Sequence, residues 1–227
     1  MENSDPLLSL FLRCLNAHYI HTPKGGDYAL EVDNAAEHVY LLFEWSDGRE
    51  DWHNNLTFFA RTANPDAPPK ERWYCHRGFW KVWNAMKKQV IQEITEIDRQ
   101  IRIRKITCIG YSHGAAISLL ATEEITRCFP HIVHIEGYGF GSPRVVWGTL
   151  PKSVNDRCSC FRTIRNVPDV ITHLPPAILG FRHVGLETIG TKGKYSPIKA
   201  HTPQAYTKEL GSLRHTQSRF IYGKKKY

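Results

Sequence analysis

The chain has 227 residues, of which 41% are hydrophobic and 23% are charged, and its formal net charge is +8. This length suits one globular domain that buries a core without disulfides or metals. The composition excludes a disordered or fibrous chain, and no run approaches the roughly 18 apolar residues that a membrane-spanning helix needs.

The N-terminal residues and the cysteines indicate the compartment. Residues 7–12 (LLSLFL) follow an acidic start at Glu2 and Asp5, which lacks the basic region and cleavage site of a secretory signal peptide. The six cysteines form no C-x-x-C pair, so we expect reduced thiols. Both observations predict a cytoplasmic protein.

The basic surplus is scattered along the chain except for the terminal run at residues 224–226 (KKK). No nucleic-acid-binding motif accompanies it, so we expect no nucleic-acid partner, and nothing points to an obligate protein partner. A weak contact with an anionic membrane surface is compatible with this charge.

In the first half of the chain, periodicity predicts two helices and a strand. Residues 5–19 have leucines and a phenylalanine at helical spacing. Residues 38–45 (HVYLLFEW) are typical of a strand, and residues 64–69 (NPDAPP) form a loop. Apolar residues at a spacing of three and four across 79–97 predict a long helix packed on a sheet.

In the second half, strands alternate with helices. Residues 105–109, 132–140 and 161–165 are predicted strands, and a helix begins at residue 113. This alternation predicts an α/β fold with a mostly parallel central sheet and helices on both faces. We find no repeat or linker, so residues 1–227 are expected to form a single domain, with active residues at the carboxyl ends of the strands.

Residues 110–114 (GYSHG) give the clearest chemical signal. A G-x-S-x-G segment between a strand and a helix forms the nucleophile elbow, a tight turn that holds a serine hydroxyl clear of the sheet. Glycines at its ends avoid collisions with the neighbouring strand and helix. The segment predicts a serine hydrolase with Ser112 as nucleophile, which then needs an imidazole base and an orienting carboxylate.

Five stretches, in order, resemble the class 3 lipase family, the fungal-type lipases of the α/β-hydrolase fold. They are residues 43–46 with 51–56 (FEWS, then DWHNNL), 75–79 (CHRGF), 110–115 (GYSHGA), 140–145 (FGSPRV) and 166–176 (NVPDVITHLPP). The resemblance spans about residues 38 to 206 and implies a lipase or esterase that uses a Ser-Asp-His triad and needs no cofactor. The twelve histidines show no metal-binding spacing either.

Asp169 is the predicted carboxylate, because it follows a strand at a turn and lies in one of the matching stretches. Asp156, in a polar loop, is the nearby alternative. For the base, the resemblance favours His201, because residues 200–206 (AHTPQAY) are similar to a late family segment, D-H-x-x-Y. Thr202 and Pro203 are typical of a helix start, which places His201 on the loop before that helix. His183 and His215 remain alternatives for the base.

The oxyanion hole requires donors for the charge of the tetrahedral intermediate. The backbone N–H of His113, at a helix N-terminus, is one predicted donor, and its side chain is expected to point away from Ser112. The resemblance implies Ser46 as the other. Glu44 and Trp45 depart from the Arg-Gly that the family usually has at these positions.

The predicted substrate is a carboxylic ester, either a lipid or a short-chain ester. In the family a lid follows the Ser46 position; here residues 47–55 (DGREDWHNN) are short and polar, which predicts weak activation by lipid surfaces. The alternatives are a phospholipase or other lipid acyl hydrolase, favoured by the cationic surface, and a catalytically silent binding module with the same fold.

Overall fold

The computed structural model describes residues 5–22, 26–44 and 58–220, with side chains described as far as residue 213. The α-helices are α1 (Pro6–Asn16), α2 (Arg77–Ile101), α3 (His113–Cys128), α4 (Lys152–Arg157) and α5 (Pro203–Phe220). The strands are β1 (Tyr28–Asp33), β2 (His38–Phe43), β3 (Ala60–Thr62), β4 (Tyr74–His76), β5 (Lys105–Tyr111), β6 (His134–Phe140), β7 (Val146–Trp147), β8 (Phe161–Asn166), β9 (Phe181–Arg182) and β10 (Leu186–Ile189).

The central sheet has the strand order β1-β2-β5-β6-β8-β10. All its neighbouring strands pair in parallel except β1, which is antiparallel to β2. The predicted mostly parallel sheet is therefore confirmed. The antiparallel edge strand β1 was absent from the prediction.

Successive side chains of the central strands enter different cores, because a strand presents alternate residues to its two faces. Ile106 and Cys108 of β5 pack with apolar residues of α2 and α3, whereas Ile109 and Tyr111 pack with residues of α1 and α5. Helices thus cover both faces of the sheet, as predicted.

Helix α2 confirms the prediction made from its apolar stripe. Its buried residues are Phe79, Trp80, Trp83, Met86, Val90 and Ile94, and this face packs into the larger core. Helix α1 is shorter than its predicted range. It begins after Asp5, whose side chain accepts a hydrogen bond from the backbone nitrogen of Leu7 at 2.9 Å.

A second, four-stranded sheet has the order β3-β4-β7-β9 and pairs only in antiparallel fashion. Its strands have two or three residues each, which is too short for a periodic pattern to reveal. Cys75 of β4 and Val146 of β7 lie in the same apolar core as Leu41 of β2. The small sheet therefore shares a core with the central one.

Ser112 and Asp169 both follow the carboxyl ends of parallel strands in the central sheet. Strand β5 ends at Tyr111, directly before Ser112, and β8 ends at Asn166, three residues before Asp169. The backbone nitrogen of Ser112 donates to the carbonyl oxygen of Phe140, the last residue of β6, at 2.8 Å. This bond fixes the turn after β5 against the neighbouring strand.

Within the described ranges, every helix is too short or too polar to cross a lipid bilayer.

Candidate active site

Ser112 occupies a strained turn between β5 and α3. Its backbone has φ 54° and ψ −118°, a conformation that costs energy for a residue with a Cβ. Gly110 and Gly114 permit the turn, because a Cβ on Gly110 would collide with the backbone of Gly114, and a Cβ on Gly114 would collide with the carbonyl oxygen of Phe43. The local sequence thus forms the tight turn that its glycines predict.

His201 meets Ser112 from the far end of the chain. The Oγ atom of Ser112 lies 2.8 Å from Nε2 of His201. His201 ends a short 3₁₀ turn, Lys199–His201, directly before Thr202 and the start of α5. Serine and histidine are therefore within direct hydrogen-bonding distance, which proton transfer between them requires.

Asp169 holds the other ring nitrogen of His201. Its Oδ2 lies 2.7 Å from Nδ1 of His201, and the residue is fully buried. Its Oδ1 accepts a hydrogen bond from the backbone nitrogen of Ile171 at 2.9 Å. An ionised carboxylate only accepts hydrogen bonds, so Nδ1 of His201 carries a proton and, in the neutral ring, Nε2 accepts from the Ser112 hydroxyl.

Two tyrosines that the sequence analysis assigned no role support this arrangement. Tyr206 donates its hydroxyl to Oδ2 of Asp169 at 2.7 Å and accepts from the backbone nitrogen of Asn166 at 3.0 Å. Burial, with the nearby Asp169 charge, holds the pKa of Tyr206 well above its ordinary value of 10, so the hydroxyl remains a donor. Tyr206 lies within residues 200–206, the segment that resembles the family, and this resemblance was the sequence signal that could have identified it.

Tyr111, the residue before the serine, supports the imidazole directly. Its ring stacks on that of His201, with centroids 5.4 Å apart and planes inclined by 25°. Its hydroxyl donates to the carbonyl oxygen of His201. Tyr111 thus restricts both the ring and the backbone of the histidine.

We expect Tyr206→Phe to slow ester hydrolysis about tenfold through kcat, because a hydrogen bond to a charged group is worth about 1.5–3 kcal/mol. Tyr28→Phe is the matched control: the buried Tyr28 donates to Glu93 at 2.8 Å, away from Ser112. Steady-state kinetics and thermal unfolding of both variants check the prediction. Equal losses of kcat in the two variants would show that Tyr206 acts on stability alone.

Ser112 is less accessible than the elbow motif predicts. Only 3% of the residue is exposed, and the side chain of His201 is 14% exposed. The tight turn and the residues packed around it therefore leave little of Ser112 in contact with solvent in this conformation.

His183 and Asp156 lie elsewhere. The Nε2 atom of His183 donates to the carbonyl oxygen of Thr172 at 2.8 Å, in the turn that follows Asp169. Asp156 accepts from Nζ of Lys152 at 2.6 Å on the exposed face of α4. His215 belongs to α5, but its side chain is outside the described set. Of the alternatives with described side chains, the structure therefore brings neither to Ser112.

The state of His183 leads to a prediction about stability. Burial lowers its pKa from 6.5 to about 4, so the folded protein keeps the ring neutral while the unfolded chain protonates it below pH 6.5. The unfolded state then binds more protons between these values, and stability is lost as the pH falls through them, by up to roughly 3 kcal/mol.

We therefore expect His183→Gln, which keeps an N–H donor but does not titrate, to flatten the fall in unfolding free energy between pH 6.5 and 4. Urea unfolding at several pH values measures it. Parallel curves for the variant and the parent chain would contradict a neutral, partly buried His183.

Of the two predicted oxyanion donors, His113 and Ser46, the structure describes only His113. His113 begins α3, next to Ser112, and its side chain packs edge-on against Phe79, with ring centroids 5.4 Å apart. Its ring thus packs on α2. Ser46 and residues 47–55 lie outside the described residues.

One group of metal-type ligands occurs within the described ranges. His21, Asp27 and Glu44 bring their ligand atoms within 4.8 Å of one another, and Nδ1 of His21 lies 2.6 Å from Oδ2 of Asp27. This grouping directs the Glu44 carboxylate toward the segment before β1. Grouped surface carboxylates are common without a metal, and the chemistry of Ser112 needs none.

Comparison with known proteins matches this chain to a protein family. The family model described as Lipase (class 3) matches residues 40–179, a range that includes Ser112 and Asp169 and ends before His201.

Three relatives illustrate the match. The chain is 26% identical over 176 residues to a lipase of Rhizomucor miehei, covering 77% of this chain and 47% of that protein. It is 27% identical over 159 residues to a secreted mono- and diacylglycerol lipase of Penicillium cyclopium, covering 70% and 50%. Lipase II of Rhizopus niveus superposes with a TM-score of 0.66 at 20% identity, covering 77% of this chain and 66% of that structure. The chain therefore spans about half the length of the curated relatives it matches.

Proposed function

The chain belongs to the class 3 lipase family, and on this premise we propose that it is a serine carboxylic-ester hydrolase whose catalytic residues are Ser112, His201 and Asp169. The observation that carries the proposal is the continuous hydrogen-bond path from Oγ of Ser112 through both nitrogens of His201 to Asp169. The α/β-hydrolase fold, which the solved lipase structures share, presents these groups at the carboxyl ends of its strands.

In the proposed first step, Oγ of Ser112 attacks the ester carbonyl carbon while Nε2 of His201 takes the hydroxyl proton. A new C–O bond forms, and the carbonyl electron pair moves onto the oxygen. Asp169 keeps the imidazole oriented and stabilises its positive charge. When the tetrahedral intermediate collapses, the alcohol leaves with the proton from His201, and an acyl group remains on Ser112.

In the second step, water replaces the alcohol. His201 takes a proton from the water, whose oxygen attacks the acyl carbon, and the acid leaves as Ser112 regains its proton. The backbone N–H of His113 and a donor at Ser46 are the proposed oxyanion hole. The N-terminus of α3 favours the negative charge that develops there.

The proposed substrates are carboxylic esters of lipids or of short-chain acids. The Penicillium cyclopium relative is named as a mono- and diacylglycerol lipase, which supports glycerol esters. The short polar segment at residues 47–55 supports a small dependence on lipid surfaces.

A chain-length series of nitrophenyl esters tests the substrate class. We expect hydrolysis of short and medium chains, with rates that rise smoothly through the solubility limit of each ester. Assays below and above that limit provide the comparison. A sharp increase that occurs only above the limit, with long chains, would contradict weak interfacial activation.

The second candidate function is acyl hydrolysis of phospholipids. The exposed Lys199, two residues before His201, favours it, because its charge is opposite to that of anionic lipids. Assays with lipids that differ only in headgroup separate this activity from simple ester hydrolysis.

Two further expectations belong to the proposal. We propose that the chain folds as a single domain, supported by the core that its two sheets share. The cytoplasmic location expected from the sequence gains no support from relatives, since the Penicillium cyclopium enzyme is named as secreted. Fractionation of the native cells, with detection in medium and cytosol, decides the location.

A further inference from the structure

Asn166, the last residue of β8, is fully buried and contacts the segments that carry His201 and Asp169. Its Nδ2 donates to the carbonyl oxygen of Ala200 at 3.1 Å, and its own carbonyl oxygen accepts from the backbone nitrogen of Asp169 at 2.9 Å. Its backbone nitrogen donates to the hydroxyl of Tyr206, which in turn donates to Asp169. Asn166 therefore holds both sides of the contact between His201 and Asp169.

The bond from Asn166 to Ala200 bears directly on the direction of the imidazole. The carbonyl of Ala200 belongs to the peptide unit that leads into His201, and the next carbonyl, that of His201 itself, accepts from the hydroxyl of Tyr111. Because each peptide unit is planar, the orientations of two successive units fix φ and ψ of the residue between them, and with these the direction of its Cα–Cβ bond. Asn166 and Tyr111 together therefore aim the ring of His201.

The polarity of the Asn166 side chain serves this one bond. In the part of the chain that the structure describes, its Oδ1 has no hydrogen-bond partner. That oxygen lies close to Gly190, where a Cβ would come within 2.5 Å of it. Burying an amide costs free energy unless its polar groups are paired, so an apolar side chain of the same size would be favoured here if packing were the only function of the residue.

We propose that Asn166 is a positioning residue that keeps the imidazole of His201 within reach of Ser112 and Asp169. Without the amide, the carbonyl oxygen of Ala200 loses a buried donor, and the turn Lys199–His201 shifts until that oxygen finds another. A small shift of the ring slows proton transfer although every reacting group is still present. The inference rests on the proposed function, since this positioning affects the rate only if His201 is the base.

Asn166→Leu removes the donor and keeps a side chain of similar size. We expect kcat for a soluble nitrophenyl ester to fall about tenfold with KM unchanged, because displaced groups lose transition-state stabilisation rather than substrate binding. Asn166→Ser, whose hydroxyl is too short to reach the carbonyl oxygen of Ala200, repeats the test with a smaller polar side chain. Thermal unfolding of each variant shows whether the assays are made on folded protein.

Asn64→Leu is the matched control. Asn64 lies between β3 and β4 and is only 6% exposed. Its Nδ2 donates to a backbone carbonyl oxygen, that of Glu71, at the same distance of 3.1 Å, and its Oδ1 accepts from the backbone nitrogen of Trp73. We expect Asn64→Leu to lose stability, as Asn166→Leu does, but to keep the parent kcat.

Proton NMR supplies a readout that a loss of stability alone does not change. The proton on Nδ1 of His201 lies between the ring and the buried carboxylate of Asp169, so it exchanges slowly with water and gives a separate low-field signal, which is assigned by its absence in His201→Ala. We expect this signal in the parent chain and in Asn64→Leu. Both Asn166 variants are expected to lose it through faster exchange.

Two outcomes overturn the positioning role: a folded Asn166 variant that keeps both the signal and the parent kcat, or losses in Asn64→Leu as large as those in Asn166→Leu. If the signal is lost only in the Asn166 variants but the parent chain hydrolyses no ester, Asn166 positions His201 and the proposed function fails. If the parent chain hydrolyses the ester and the Asn166 variants behave as Asn64→Leu does, the proposed function stands and the positioning role fails.

Discussion

His201→Ala is expected to lower kcat for ester hydrolysis by roughly 10⁶-fold. The serine and the histidine act together, so removing either one costs about as much rate as removing both. Without the imidazole at 2.8 Å, the Ser112 hydroxyl keeps its proton at the moment of attack and is a poor nucleophile. The effect falls on kcat because His201 acts in the transition state, whereas substrate binding depends on other groups. Single-turnover and steady-state assays with a soluble nitrophenyl ester measure it.

The alternatives His183 and His215 are replaced in parallel, as His183→Gln and His215→Ala. His131→Ala is the surface control, since this histidine contacts Asp98 on a different part of the structure and is 58% exposed. All three are expected to retain most of the parent activity at a pH where the fold is stable. A large residual activity in His201→Ala, with a loss in either alternative, would show that another histidine is the base.

Asp169→Asn is expected to lower kcat by roughly 10⁴-fold while leaving the fold intact. An amide at this position can donate to Nδ1 of His201, which favours the ring tautomer with the proton on Nε2. That nitrogen then cannot accept the proton of Ser112, so the serine loses its base although every residue stays in place. Asp169 is fully buried, and its Oδ2 lies 2.7 Å from Nδ1 of His201, so the substitution acts directly on the imidazole.

Asp156→Asn is the matched control for this change. Asp156 is a carboxylate on α4 that pairs with Lys152 at the surface, so its loss removes one exposed ion pair, worth less than about 1 kcal/mol. Kinetics of both variants at several pH values are the measurement. If Asp169→Asn keeps activity within tenfold of the parent, or if Asp156→Asn loses as much, the assignment of the carboxylate is wrong.

Local signals in the sequence predicted the parts of the structure that depend on neighbouring residues. The strand, glycine turn and helix around Ser112 lie within one continuous segment, and the structure forms all three there. The apolar stripe of α2 likewise needs only its own spacing to indicate which face is buried.

Features that depend on distant residues were harder to predict. Ser112 and His201 are 89 positions apart, and it took the resemblance to a family, with the helix start at Thr202 and Pro203, to favour His201 among the late histidines. The bond from Tyr206 to Asp169 joins residues 37 positions apart, and the 200–206 segment that contains Tyr206 does not by itself indicate that partner. The short strands β7 and β9 exist because they pair across the chain, so their own sequences carry no periodic signal.

Burial of the serine shows a further limit of sequence reasoning. The elbow motif fixes the backbone of Ser112 but does not determine how much of the residue contacts solvent, and the structure leaves 3% of it exposed. Access is a property of the whole surface around the site.

The most direct test of the account is labelling with a fluorophosphonate probe followed by mass mapping of the modified peptide. Such a probe reacts with a serine only when a base activates it, so labelling reports the proposed nucleophile independently of any substrate. We predict one modified residue, Ser112, in the parent chain and no labelling in Ser112→Ala or His201→Ala. A parent chain that remains unlabelled when vesicles or detergent are present, or a label on another serine, would contradict the proposal that Ser112 is an activated nucleophile.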